Sequence, residues 1–272
     1  MNAPIGVIDS GVGGLTVAKA IMELLPNETI YYIGDTARCP YGPRSKQEVR
    51  NFTWQMAKEL EKMGVKMLVI ACNTATAVAL ESLQKHMPFP VLGVINAGAR
   101  AAIKATKRNE VAVLATEGTI KSGAYEEAIF SLSTKAHVTT LACPTFVPIV
   151  ESGEYEGQFS FDLVKEGLKP IAEETFDTVI LGCTHYPIIQ KQIAAAVGPE
   201  VKIVSAAEET ARDAEALLAY TNQLRTNSNP PEHKFFASGS VPIFRSIAER
   251  WLELEHIDAS RIAFEQPKKS KA

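Results

Sequence analysis

The chain has 272 residues, room for two α/β units or one large one. Apolar residues make up 46% of it, enough for a substantial core, and a net charge of −3 offers no basic surface to nucleic acid. The longest wholly apolar stretches are strand-sized, and MNAPIGVID runs into a buried-strand pattern with no signal-peptide segments, so a cytoplasmic protein with no membrane partner is expected.

Short apolar runs alternate with helical periodicity. Ile5–Ile8 predicts a strand and Leu15–Leu25 a helix, then Thr29–Ile33 a strand and Lys46–Met63 a helix. Lys66–Ala71 is a solidly apolar strand before a helix at Thr74–His86, and Val91–Val94 a strand before a helix at Gly98–Thr106. The pattern restarts with a strand at Glu110–Ala115, a helix at Ile120–Leu132, a strand at Val138–Leu141 and a mostly helical Gly157–Glu173. A strand at Thr178–Gly182, a helix at Ile188–Val197, a strand at Lys202–Val204 and a long helix at Ala207–Asn222 follow. Asn227–Pro231 is a turn signal. A strand at Lys234–Ser238, a helix at Val241–Leu254 and a strand at Arg261–Phe264 close the chain before a solvated tail, KKSKA. Strand–helix alternation with continuous apolar strands predicts an α/β protein with mostly parallel sheets covered on both faces.

Two segments read alike. VKMLVIACNTATAVALESLQKH and FDTVILGCTHYPIIQKQIAAAV are each a strand, a cysteine, a threonine-bearing turn and a helix. Each is preceded by another strand ending in a polar turn, with Asp9 and Thr116 as the corresponding positions. The pattern suggests a weak internal duplication, against the bland alternative that any two βα units look similar. None of the four cysteines, Cys39, Cys72, Cys143 and Cys183, sits in a C-x-x-C pair, so free thiols are expected. Ligands of open parallel sheets bind beyond the carboxyl ends of the strands. Cys72 and Cys183 end predicted strands just before predicted helices, where backbone N–H groups and the helix dipole favour a thiolate, so both are expected to have lowered pKa values. Cys39 and Cys143 read as structural thiols.

Competing motifs are missing. DSGVGG is not a dinucleotide fingerprint and no G-K-[ST] follows, so Gly11, Gly13 and Gly14 are expected to bend a tight turn or let backbone approach a ligand. There is no H-E-x-x-H, and Cys183 with His185 alone does not make a zinc site, so no metal is expected. No lysine has the context of a pyridoxal phosphate anchor, and no cofactor is expected. Asp9 and Ser10 could serve only as helix caps, Thr74 and Thr184 as early-helix residues, His185 as a surface histidine and Tyr41 as a turn aromatic.

The blocks IGVIDSGVGGLTVAK, DTARCPYGPRS, VIACNTATA, ATEGTIKSGAYE and LGCTHYP, in this order and spacing, resemble the glutamate racemases of the aspartate/glutamate racemase superfamily. The resemblance runs from Pro4 to about Phe264. It implies two similar α/β domains facing each other across an active-site cleft. The first is expected from 1–97 plus 208–272, carrying Asp9 and Cys72, and the second from 98–207, carrying Cys183 and His185. It also implies that Cys72, Cys183, Asp9, His185 and Glu151 are catalytic. Asp9, Ser10, Pro40, Tyr41, Gly42, Asn73, Thr74, Thr116, Thr119, Thr184 and His185 are implied to contact substrate. A homodimer and a role in D-glutamate supply for peptidoglycan, hence cell wall biogenesis and cell shape, follow from the same resemblance. Asn96 and Ala97 stand where the family often has Glu-Pro, and VSAAEETA departs before the AEETA run.

The implied reaction is cofactor-independent interconversion of L- and D-glutamate. It must take a proton from one face of Cα and return one to the other, which two monoprotic groups accomplish with roles that swap in reverse. Asp9 beside Cys72, and Glu151 with His185 beside Cys183, are the expected tuners. Ser10, Asn73, Thr74, Thr184 and backbone N–H groups are expected to stabilise charge developing on the carboxylate side. An aspartate racemase, a decarboxylase using one cysteine and a non-catalytic amino-acid-binding relative remain as alternatives.

Overall fold

The computed structural model describes residues 2–226 and 229–264. The KKSKA tail and the first two residues of the Asn227–Pro231 turn lie outside them.

The chain builds two sheets. The first half supplies β1 (Ile5–Asp9), α1 (Leu15–Leu24), β2 (Ile30–Gly34), α2 (Lys46–Lys62), β3 (Met67–Ile70), α3 (Asn73–His86), β4 (Val91–Gly93) and α4 (Val94–Ala105). The middle supplies β5 (Glu110–Ala115), α5 (Glu117–Ser122), α6 (Ala124–Leu132), β6 (His137–Ala142), α7 (Phe146–Ser152), α8 (Gln158–Leu168), β7 (Thr178–Gly182), α9 (Gln190–Val197) and β8 (Lys202–Ser205). The end returns through α10 (Ala207–Tyr220), β9 (Lys234–Ala237), α11 (Val241–Leu252) and β10 (Ala259–Arg261). Strands pair in the order β10-β9-β2-β1-β3-β4 in one sheet and β6-β5-β7-β8 in the other. Every strand pair among the described residues is parallel.

The continuous apolar strands are buried on both faces, as parallel sheets require. Along β1, Ile5 and Val7 point into a core shared with α1, α10 and α11, while Ile8 points into one shared with α2 and α3. In β5, Ala112 and Leu114 face α7, α8 and α9, and Val111 and Val113 face α4 and α6. Four successive strands of the first sheet, β2-β1-β3-β4, follow the same order as the whole second sheet, β6-β5-β7-β8, which supports the duplication. The register corrects one detail of it. Ile8 pairs with Ile70 and Ala115 with Gly182, so two and one residues further on Ser10 lies level with Cys72 and Thr116 with Cys183. Thr116 therefore corresponds to Ser10, not to Asp9.

Several expected boundaries move. The helix expected at Gly98–Thr106 begins at Val94, so residue 97 lies inside it. Val94 and Ala97 join the core of the first sheet, and Ile95, Ala99 and Ala102 that of the second. The helix expected at Ile120–Leu132 is two helices, broken at Gly123, whose φ of 72° is left-handed. Helix α7 was not expected. Its Pro148 reads as a breaker but falls in the first helical turn, where its missing N–H breaks no helical hydrogen bond. The last strand lies at Ala259–Arg261, not Arg261–Phe264, because its partner β9 ends at Ala237, leaving only a bond from Ile262 N–H to the Ala237 carbonyl (3.0 Å) beyond it. Of the departures from the family pattern, Asn96 is exposed and Ala97 is packed in the core, and the Ser205 hydroxyl accepts from Ala207 N–H (3.1 Å) at the start of α10. No helix among the described residues is long and apolar enough to cross a membrane.

Candidate active site

The carboxyl ends of β1, β3, β5 and β7 meet where the two sheets approach. The turn after β1 carries Ser10, and Cys72, two residues past β3, is the N-cap of α3. Thr116 is the N-cap of α5, its side chain accepting from Thr119 N–H. Cys183, Thr184 and His185 follow β7. Here the expectation fails in part: Cys183 is followed by a short 3-10 turn over Tyr186–Ile189, not by an α-helix, so no aligned helix dipole points at its sulfur.

The loop after β2 closes one side. Asp35, wholly buried, accepts from Arg38 Nε (2.6 Å), the Tyr41 hydroxyl (2.5 Å) and the Ser238 hydroxyl (2.7 Å). This fixes Pro40, Tyr41 and Gly42 against the cleft, and Gly118 N–H bonds the Gly42 carbonyl at 3.0 Å. The Tyr41 hydroxyl is thus taken by Asp35.

One enclosed cavity is lined by Ser10, Pro40, Tyr41, Gly42, Cys72, Asn73, Thr74, Thr116, Val147, Cys183, Thr184 and His185. Both predicted thiols therefore line a single space, one from each sheet. Asp9, Thr119 and Glu151 do not line it but bond to residues that do. Asp9 accepts from Gly11 N–H (2.9 Å) and, across the cleft, from the Thr184 hydroxyl (3.3 Å). The Thr74, Thr116 and Thr119 hydroxyls form a triangle with sides of 2.9, 3.1 and 3.2 Å, a second bridge between the sheets. The space between is closed down to about 10 Å³, about one water sphere and far too small for an amino acid.

The two sulfurs sit in unlike surroundings. Cys72 Sγ lies 3.7 Å from the Ser10 hydroxyl. Burial, then the Asp9 charge, push its thiol up to about 12, outweighing the Ala75 N–H and Ser10 hydrogen bonds that favour the thiolate. The expected lowering at Cys72 is thus overturned: a complete desolvated enclosure beats the helix N-terminus. Cys183 Sγ lies 3.7 Å from His185 Nδ1, and His185 Nε2 lies 2.6 Å from Glu151 Oε1. Burial would hold the imidazole neutral, but its bonds to Cys183 and Glu151, and their charges, raise its pKa well above the usual value. Burial likewise acts to raise Glu151, yet His185 holds it below the ordinary carboxylate range. A protonated His185 donates through both nitrogens, one toward each neighbour. One sulfur is thus set to keep its proton, and the other lies against an imidazole that can donate to it.

The tight turn of DSGVGG approaches protein groups: a Cβ on Gly13 would lie 2.4 Å from His185 Nδ1. Sequence reasoning missed two residues. Val147, on the unexpected α7, lines the cavity. Tyr125 donates its hydroxyl to Asn73 Oδ1 (2.8 Å), leaving Asn73 Nδ2 buried without a partner. Tyr125 gave no signal because its contact depends on α6 crossing to α3, a long-range event. Cys143 is buried beside Cys183's neighbours, its carbonyl accepting from the Tyr186 hydroxyl (3.0 Å). A larger surface cleft of about 460 Å³ lies between α4, β8 and α10, but its Lys104 and Arg212 are neutralised by Glu209.

A family model for Asp/Glu/Hydantoin racemase matches residues 5–214. The chain belongs to the Asp/Glu/Hydantoin racemase family. A glutamate racemase of Lysinibacillus sphaericus (strain C3-41) is 75% identical over 262 residues, covering 96% of this chain and 99% of that one. A crystal structure of a Bacillus anthracis glutamate racemase isoform superposes with a TM-score of 0.92 at 47% identity, covering 96% of this chain and 97% of that one. The glutamate racemase of Francisella tularensis, solved in complex with D-glutamate, gives 0.89 at 37% identity, covering 96% and 98%. The chain is thus a racemase-family enzyme with the α/β fold of these relatives.

Proposed function

We propose that this enzyme interconverts L- and D-glutamate without a cofactor, Cys72 and Cys183 acting as the acid/base pair. The observation that carries the reading is the pair of thiols lining one closed cavity from two sheets, one beside Ser10 and the other beside His185. In one direction Cys183, as thiolate, takes the proton from Cα of the bound amino acid while Cys72, as thiol, delivers one to the other face. In reverse the roles exchange. His185 and Glu151 support charge on Cys183, and the Asp9 carboxylate keeps the Cys72 proton in place. Such a pair moves both protons with the chain's own groups, which is the support for cofactor independence.

Asn73 Nδ2, buried and unpartnered, is suited to donate to the substrate carboxylate as charge develops there. Ser10, Thr74, Thr116, Thr184 and the backbone of Pro40, Tyr41 and Gly42 complete the substrate shell, with Thr119 acting through the hydroxyl triangle. The enzyme is read as two domains, 1–97 plus 208–272 and 98–207, as sheet membership supports. Its near relatives being glutamate racemases favours glutamate over aspartate. D-glutamate supply for peptidoglycan, a cytoplasmic location and a homodimer belong to the same reading.

The test is L-glutamate incubated with the protein in deuterated water and followed by circular dichroism and mass spectrometry. Loss of the dichroic signal with deuterium at Cα is expected, and a fall of about 10²–10⁴-fold in turnover for Cys72→Ser and for Cys183→Ser. Racemisation of aspartate alone would move the substrate assignment. Full turnover in either variant would refute the two-thiol mechanism.

A further inference from the structure

Among the described residues, Cys39, Glu151 and His185 bring a thiol, a carboxylate oxygen and an imidazole nitrogen within 4.8 Å of one another. Cys39 is the third thiol near the cleft and has no part in the proton transfers. Its sulfur lies 3.7 Å from Glu151 Oε1, the oxygen that also faces His185 Nε2 at 2.6 Å. The three donors come from the β2 loop, α7 and the turn after β7, so the fold and not local sequence assembles them. Gly11 leaves room for the group: a Cβ there would lie 3.0 Å from Glu151 Oε1 and 3.1 Å from Cys39 Sγ. The Glu151 side chain is 32% exposed, which opens the cluster to solvent.

We propose that Cys39, Glu151 and His185 form an inhibitory site for a soft divalent cation of the zinc class. The donor set of one sulfur, one nitrogen and one oxygen suits a borderline-soft ion, with a solvent water as fourth ligand. Tetrahedral zinc needs a nitrogen–oxygen separation of about 3.3 Å and sulfur–nitrogen and sulfur–oxygen separations of about 3.6 Å. The sulfur–oxygen distance is already 3.7 Å, and the nitrogen–oxygen pair need open by only some tenths of an ångström from 2.6 Å. Binding forms one bond from the metal to each of Sγ, Nε2 and Oε1. It displaces two protons to solvent, one from the Cys39 thiol and one from the Nε2 of protonated His185.

The inhibitory part rests on the function proposed above. With one metal holding Cys39 of the β2 loop to Glu151 of α7 and His185 of the turn after β7, the two walls of the closed cavity are tied together and cannot part to admit substrate. Because binding releases protons, it tightens as pH rises.

The experiment titrates the full-length, reduced protein with Co²⁺ and then Zn²⁺, reading the thiolate-to-cobalt charge-transfer absorption, alongside glutamate turnover. One equivalent is expected to produce the band and zinc to displace it. Cys39→Ser should lose the band and weaken zinc binding by at least the roughly 10–100-fold that loss of a supporting outer partner costs, while Cys143→Ser keeps both. Far-UV circular dichroism confirms that each variant is folded. Zinc should suppress turnover in the parent, a chelator should restore it, and Cys39→Ser should turn over at the same zinc level. No band in the parent, or an unchanged band in Cys39→Ser, overturns the site, and zinc held by Cys39 with turnover intact overturns its inhibitory role. A protein that racemises nothing even without metal would sink the proposed function instead, and the cobalt titration would still decide the site.

Discussion

Cys72 and Cys183 have the same side chain at matching places in two sheets, and their surroundings differ. At Cys72 desolvation and the Asp9 carboxylate both favour the neutral thiol. At Cys183 the close ionisable partner is an imidazole whose pKa the bonds to Cys183 and Glu151 raise. Glu151→Gln removes that anchor, so His185 should lose its proton at lower pH. The alkaline limb of the turnover profile is expected to move down by about one pH unit or more, one unit being about 1.4 kcal/mol of differential charge interaction. An unmoved limb would separate Glu151 from the titration. The sign for stability agrees. Folding raises the His185 value, so its stabilisation is full below the unfolded value near 6.5 and is lost as pH rises through the folded one. Tyr125→Phe frees the Asn73 carboxamide to rotate. Its KM for glutamate should rise by about fivefold, the worth of one hydrogen bond of about 1 kcal/mol, with kcat less affected. Equal KM for variant and parent would show that Asn73 needs no such orientation.

At the level of helices and strands, the break at Gly123 serves two elements at once. It ends α5 and starts α6 in a left-handed conformation with open space where a Cβ would sit. Gly123→Ala should therefore cost about 1–2 kcal/mol from backbone strain alone, seen as a lower Tm with turnover unchanged. Local signals made most of the architecture legible. Glu110–Ala115 and Thr178–Gly182 match their predicted strands residue for residue because a buried apolar run bounded by polar residues has one sensible reading. The family blocks likewise pointed to Cys72, Cys183 and their neighbours, which the fold gathers into one cavity. What escaped depended on position within an element or on distant packing. Pro148 is harmless only because it falls in a first turn, and Val147 reaches the cavity only because α7 exists. The lowered thiol pKa expected from a helix N-terminus failed at Cys72 because sequence shows the helix but not the depth of burial.

Across the whole molecule, the two sheets meet through contacts that also seal the cavity. The threonine triangle and the Asp9–Thr184 bond join the two walls, leaving a space of about 10 Å³. Glutamate can enter only if these contacts part. Small-angle scattering should show the radius of gyration of the free protein falling as glutamate is added at constant oligomeric mass. A radius that ignores saturating glutamate would rule out closure on binding. The unlike settings of the two sulfurs carry a further consequence. Mirror-image amino acids have equal free energies in water, so the equilibrium constant of the reaction is one. The Haldane relation then forces kcat/KM to be the same for both enantiomers, however different Cys72 and Cys183 are. An enzyme with such uneven halves must express its handedness as paired offsets, the enantiomer turned over faster being the one held more loosely.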